Sequence, residues 1–441
     1  MTETVWLKQH TLIFGATPAA YGSILCAYFL GIAAGAALFR KLPRFEHRYL
    51  FAALFAGALA LSFAWPPLFF WAARWLLGPV LESPAYQVVR WFVATVGVLP
   101  VCVAWGAFLP LGARSVSRRR FLVFYGVNTL GAALGVCAGS FLLPYAIGSF
   151  ATSAVAIAVN LGSLLALYRL VPLVASRRFE TQTHGLATRD ALLALGGGAL
   201  SMTLQVLFIR FIAIGTDNTI YSFGAASLLV VLALTFSSLL TPRLPARWFK
   251  NKGGLHSLLL LSPLGILLAI AWFMAATNGL RVAGVARPAG FGAALEFGAG
   301  VVGLGYLFPS FIFPFLLRSL KPSTRSEPAA ADIGLLIAFN SLGCAAGALV
   351  AASLGVPLLG MWGVAAITLI GYVLLSFLIE RTFVKNLLSG LALLVIALEN
   401  PLDHPLSTPE GAQARLVEAS EGAYGIVSVV DQADRRGLWL N

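Results

Sequence analysis

Apolar residues in this chain come in long unbroken runs, with polar residues clustered in the short segments between them. Membrane-barrel strands would alternate at every second position, so runs of this length predict helices, whose backbone hydrogen bonds are satisfied internally. Crossing roughly 30 Å of hydrocarbon takes about 20 residues. Runs of that order lie at about 17–39, 49–77, 88–113, 121–147 and 149–170, and then at 190–213, 218–240, 255–277, 292–317, 332–358 and 360–379. A shorter run at 386–398 is a marginal thirteenth, and residues 1–14 read as the tail end of a first. The pattern predicts an all-α polytopic membrane protein whose principal partner is the lipid bilayer.

Composition agrees. Hydrophobic residues make up 59% of the 441, charged residues 11%, and the mean hydropathy is +0.87, far from a soluble domain. The net charge of +13 looks at first like a nucleic-acid footprint, but its placement explains it otherwise. Lys and Arg gather in every second loop: around Arg40–Arg48, Arg114–Arg120, Arg169–Arg189, Arg243–Lys252, Arg318–Arg325 and Arg381–Lys385. The intervening loops, around 78–87, 148, 215–218, 278–290 and 360, hold only Arg281 and Arg287. By the positive-inside rule the basic loops are cytoplasmic, no nucleic acid is needed, and the alternation supports the helix count independently. A bacterial inner (plasma) membrane is the expected location.

The chain also repeats itself. Asn128-Thr129-Leu130-Gly131, followed by Gly135 and Gly139, reappears 212 positions later as Asn340-Ser341-Leu342-Gly343, followed by Gly347. Gly15 and Tyr21 match Gly215 and Tyr221 at a shift of 200, and Pro110 and Arg114 match Pro314 and Arg318 at 204. Two parallel six-helix repeats are expected, because an even number of spans returns the chain to its starting side. The first repeat covers 1–185 and the second 186–382, followed by the short extra helix at 383–400. The counterpart of the helix opening the second repeat would begin about ten residues before Met1, so the first helix is expected to be truncated.

After Leu398 the composition turns polar. Gly425-Ile426-Val427-Ser428-Val429-Val430-Asp431 is a β-branched run, Gln432–Arg436 reads as a turn, and Gly437–Asn441 opens a second strand. A lone hairpin is marginal in water, so residues 401–441 are expected to be a linker and the truncated opening β-hairpin of a soluble domain.

The segment Glu421-Gly422-x-Tyr424-Gly425-x-Val427-Ser428-Val429-Val430, with its charged turn and Leu438-x-Leu440-Asn441, resembles the opening hairpin of the aminopropyltransferase domain in membrane-fused spermidine synthase-like proteins. Thr4–Lys8, Gly15-Ala16-Thr17, the Gly31/Gly35 pair, Phe108-Leu109-Pro110 and Asn128–Gly131 with Pro144 and Gly148 are similar to that family's repeated membrane signature. The resemblance covers nearly the whole chain. It implies transfer of an aminopropyl group from decarboxylated S-adenosylmethionine to a diamine, by a Rossmann-like domain following Asn441. It assigns no catalytic, cofactor-binding or metal residue within this fragment, so any polyamine would be met only through the missing domain. The chain departs from the signature at Val231 and Thr235, where the second repeat lacks the Gly-xxx-Gly of the first.

Gly131, Gly135 and Gly139 lie four apart on one helical face, as do Gly343 and Gly347, and in lipid such faces hold helices together by close backbone approach. Asn128 and Asn340, one turn earlier, are expected to be buried polar locks or ligand contacts. Arg90, Arg210 and Glu296 are the ionisable residues in or near spans; snorkelling from helix ends competes with function as their explanation. Cys26, Cys102, Cys137 and Cys344 show no paired spacing, the five histidines no ligand spacing, and Gly196-Gly197-Gly198 lies inside a span rather than after a strand, so no metal site or phosphate loop is expected. The alternative function is a transporter or flippase of major-facilitator-like architecture with unknown substrate; a purely structural anchor fits the small-residue faces equally well.

Overall fold

The computed structural model describes residues 6–7, 18–41, 75, 86–113, 118–174, 186–216, 220–245, 247–249, 253–277, 290–320, 330–380, 415–421, 426–432 and 435–440. The expected spans within these residues are helical. They are α1 (Pro18–Lys41), α2 (Tyr86–Ala113), α3 (Arg118–Cys137), α4 (Leu143–Val174), α5 (Thr188–Gly215), α6 (Ile220–Leu240), α7 (Gly253–Ala276), α8 (Phe291–Gly305), α9 (Pro309–Ser319), α10 (Ala330–Val350) and α11 (Val356–Phe377). The expected span at 49–77 apart from Trp75, the first-helix remnant at 1–14 apart from Trp6 and Leu7, and the short helix at 386–398 lie outside the described residues.

Among the described residues six helical stretches are long and apolar enough to cross a membrane, and a seventh results if α8 and α9, bent by 49° at their junction, cross together. The chain is a multi-pass membrane protein. The two longest stretches, Arg120–Ser163 and Asp332–Phe377, run 44 and 46 residues, roughly 65–70 Å at helical rise and about twice the hydrocarbon thickness. Each is divided by a glycine in a non-helical conformation, Gly148 (φ 77°, ψ 167°) and Gly360 (φ 65°, ψ 177°), a backbone region open essentially to glycine alone. Each is also preceded by a five-residue π-helix, Ala138–Leu142 and Ala351–Gly355, and by a proline, Pro144 and Pro357. The same three irregularities thus recur in the same order, with spacings that agree to within one residue.

The expected single helix at 292–317 is instead broken at residues 306–308. Glycines at 303 and 305 weaken the helix there, and Pro309 opens α9 at its first turn, where its missing N–H costs nothing.

α5 is the hub of the bundle, and its glycine triplet explains why. Successive residues on a helix point about 100° apart. Gly196 faces Leu375 of α11, Gly197 lies 3.4 Å (measured from an added Cβ) from Ile312 of α9, and Gly198 abuts the Asn340 backbone of α10. α10 packs on α5 along one side and on α1 along another, with Gly22 against Ala348 and Ala352, and Gly334 near Ala36 and Pro110. α3 packs on α6 in the corresponding way: Gly126 meets Leu239, and Gly224 meets Phe141 and Ser140. In both pairs, α1 with α10 and α3 with α6, the two helices run antiparallel.

Relative helix directions follow from these contacts. α5 and α10 run parallel, as do α1 and α2; α7 and α8 are antiparallel (Gly265 beside Phe308, Trp272 beside Gly300), and so are α5 and α11 (Gly196 beside Leu375, Gly371 beside Leu200). These are the directions that alternation of basic and non-basic loops requires.

The departure at Val231 and Thr235 has a structural counterpart. Gly31, Gly35 and Gly106 let α1 and α2 touch backbone to backbone, through Leu99, Val103 and Ile32. In the second half Thr235 instead donates to Thr129 Oγ1 (3.0 Å) while also reaching the Val231 carbonyl (2.9 Å), tying α6 to α3.

The carboxy-terminal segment forms an antiparallel sheet in the order β1 (Arg415–Glu421), β2 (Ile426–Gln432), β3 (Arg435–Leu440). The expected hairpin is therefore one strand short. β1 was hidden because its apolar positions do not alternate: the register slips between Leu416 and Glu418, inserting a bulge at Val417. The expected turn at 432–436 is also shorter, since Gln432 pairs with Arg435 and only two residues connect the strands. Asp431 and Arg436 face each other across it; the carboxylate accepts from Nε (2.7 Å) and Nη2 (3.1 Å), and this hydrogen bond raises the guanidinium above its ordinary value.

Candidate functional site

Close packing of α5 on α10 brings polar groups together at the bundle centre. Side chains added at Gly343 and Gly347 would overlap the Leu195 and Ala199 carbonyls, so the two backbones are in contact, and Thr203 Oγ1 reaches the Gly347 carbonyl at 3.5 Å. Ser201, on the same stretch of α5, hydrogen-bonds the Tyr306 hydroxyl at the α8–α9 break. Tyr306 also stands edge-on to Phe208 of α5, with ring centroids 6.5 Å apart. Within α10, Asn340 Nδ2 lies 3.7 Å from the Cys344 sulfur. Tyr306, Tyr372 and Cys344 are buried, and the Tyr372 hydroxyl has no hydrogen-bond partner among the described residues, an arrangement that costs about 1–3 kcal/mol in an apolar interior.

The cluster is rich in hydroxyls and aromatic faces and contains no formal charge. It can donate to and accept from a small polar solute, and it offers no acid–base pair. Among the described residues no group of three or more His, Cys, Asp or Glu could hold a metal ion.

The expected site residues fall in different places. Gly343 and Gly347 pack as described, and Asn340 is half-buried at the cluster's edge. Gly131 packs on none of the described residues: an added Cβ there meets none of them within 4 Å. Gly135 is half-buried and Gly139 buried. Asn128 is exposed rather than a buried lock, and among the described residues no helix covers the face it shares with Gly131 as α5 covers Gly343. Glu296 is exposed on α8, whereas Arg210 is buried on α5 at 4% exposure, so snorkelling to open surface does not describe it. The Arg90 side chain lies outside the described residues.

Sequence reasoning missed Ser201, Tyr306 and Tyr372, and also Gln205, whose side-chain amide donates to Ser227 Oγ at 3.1 Å between α5 and α6. Their spacing has no motif; Ser201 and Tyr306 are 105 positions apart. Arg318 was read only as a loop cation. Its guanidinium donates to the Thr241 and Leu244 carbonyls (3.1 Å to the latter) and stacks 3.9 Å from the Phe249 ring centroid, pinning α9 to the α6–α7 connection.

Comparison of the chain with protein-family models and with curated proteins returns no match.

Proposed function

We propose that the chain is a pair of related six-helix halves lying side by side in a bacterial inner (plasma) membrane, forming the membrane portion of an aminopropyltransferase-like protein. The side-by-side arrangement is supported by the reciprocal packing of α1 on α10 and α3 on α6, and by the π-helix, proline and positive-φ glycine that recur after α3 and α10. The observation that carries the enzyme part is the antiparallel sheet at 415–440, formed on the segment whose residues resemble the transferase hairpin. Transfer from decarboxylated S-adenosylmethionine to a diamine would belong to the soluble domain, and no residue up to Asn441 is assigned to it. The test is the coding sequence beyond Asn441, with an activity assay on membranes carrying its product. A strand, a glycine-rich turn opening a helix and an acidic residue about 20 positions further on are expected, with release of the thioether by-product of aminopropyl transfer. A stop codon within a few residues, or no thioether, refutes the reading.

A second reading, a carrier or flippase, is favoured by the uncharged hydroxyl cluster around Tyr306 at a broken helix, since irregular backbone at membrane depth is tolerated where it lines a solute path. Uptake of small polar solutes into vesicles reconstituted with the protein, slowed in Tyr306→Phe without loss of thermal stability, is the expected result for that reading; no uptake of any solute above protein-free vesicles refutes it.

A further inference from the structure

Below their glycine crossing, α5 and α10 diverge toward the end from which both start. The space between them is a groove of about 430 Å³ lined by Thr188, Ala191, Leu192 and Leu195 of α5 and Leu335 and Phe339 of α10, with Leu186 at its end. The groove stops where Gly198 meets the Asn340 backbone and Gly343 that of Leu195. Leu192 is 45% exposed, so the groove opens sideways onto the surface that faces lipid.

In sequence, the stretches preceding α5 and α10 carry more basic than acidic residues: Arg177, Arg178 and Arg189 against Glu180, and Arg318, Lys321 and Arg325 against Glu327. Arg318 is committed to the Thr241 and Leu244 carbonyls. Arg189 stands half-exposed on the first turn beside the groove, in a loose 4.0 Å pair with Asp190, whose carboxylate is only 14% exposed; Asp332, on the first turn of α10, is buried at 8%. The two acidic side chains thus turn inward while the guanidinium is presented to the interface.

We propose that this groove holds one acyl chain of an anionic phospholipid from the cytoplasmic leaflet, with the headgroup phosphate at Arg189 and the Thr188 hydroxyl. An apolar slot of this size that opens laterally suits a chain rather than a soluble ligand, and each basic residue at an anionic interface contributes attraction that salt screens. A neutral lipid fills the same slot without the charge contribution.

The test uses the purified full chain in uncharged detergent, titrated with phosphatidylglycerol, phosphatidylcholine of identical chains, or inorganic phosphate, with melting temperature and native mass spectrometry as readouts. Phosphatidylglycerol is expected to raise the melting temperature most and phosphate alone to have no effect. Arg189→Gln is expected to weaken the phosphatidylglycerol response about fivefold and to leave the phosphatidylcholine response unchanged. Filling the slot with Ala191→Trp should remove one tightly bound lipid; should that variant fail to fold, Leu192→Trp fluorescence, quenched more by brominated phosphatidylglycerol than by brominated phosphatidylcholine, reads the same contact. Equal responses to the two lipids, an unchanged preference in Arg189→Gln, or stabilisation by phosphate alone overturns the proposal.

Discussion

Replacing glycine by alanine at positions 131 and 343 should have effects of opposite sign, although the two residues occupy the same place in the same repeated motif. At 343 the new methyl meets the Leu195 carbonyl carbon at 2.8 Å and the Ala199 nitrogen at 3.0 Å, and lies closer still to the Leu195 oxygen. These are backbone atoms of α5, which cannot turn aside as a side chain would, so the two helices must separate. Overpacking of this kind costs about 1–3 kcal/mol, and separation also loosens the close approach of Gly347 to Ala199 on the same face, which places Gly343→Ala at the upper end of that range. At 131 no described residue lies within 4 Å, so Gly131→Ala gains only helix propensity, up to about 1 kcal/mol. Reversible unfolding in mixed micelles, followed by far-ultraviolet circular dichroism and by tryptophan emission, measures both. Wild-type stability in Gly343→Ala, or a loss in Gly131→Ala as large as in Gly343→Ala, refutes the asymmetric filling of the two faces.

Three further outcomes follow from single side chains. Gly148→Ala and Gly360→Ala should each cost about 1–3 kcal/mol, because both residues hold positive φ with extended ψ; equilibrium unfolding that matches wild type contradicts the backbone conformation. Tyr372→Phe removes a buried hydroxyl without a partner and should be neutral or stabilising by up to about 1–3 kcal/mol; a clear loss of stability in the same assay would mean the hydroxyl is bonded. Thr235→Val keeps the shape of the side chain but deletes the bond to Thr129, and should cost about 0.6 kcal/mol, the usual worth of such bonds in a membrane; the matching Thr129→Val should cost a similar amount, and the double variant no more than either alone.

The difference between the two Asn-Leu-Gly copies also shows where sequence reading reaches its limit. Spans such as Thr188–Gly215 and Gly253–Ala276 were legible to within about two residues, because the length of an apolar run and the bias of its flanking charges are local properties that the bilayer reads directly. The break in the 292–317 span was written in Gly303, Gly305 and Pro309, yet an uninterrupted apolar run outweighed those signals. β1 was obscured by a single bulged residue. Ser201 and Tyr306 look like ordinary apolar-run residues, and nothing in their neighbours' identity announces that they meet.

What the sequence by itself determined is therefore the class of protein, the positions of its helices and their alternating directions, all consequences of transferring one segment at a time into hydrocarbon. Only the tertiary structure decided which faces are filled and which polar groups find each other. Gly343 is covered by α5 and Gly131 by none of the described residues, and Ser201 reaches Tyr306 across the bundle. In lipid, apolar burial scarcely distinguishes one neighbour from another, so the pairing of helices rests on backbone shape and a few hydrogen bonds between residues far apart in the chain.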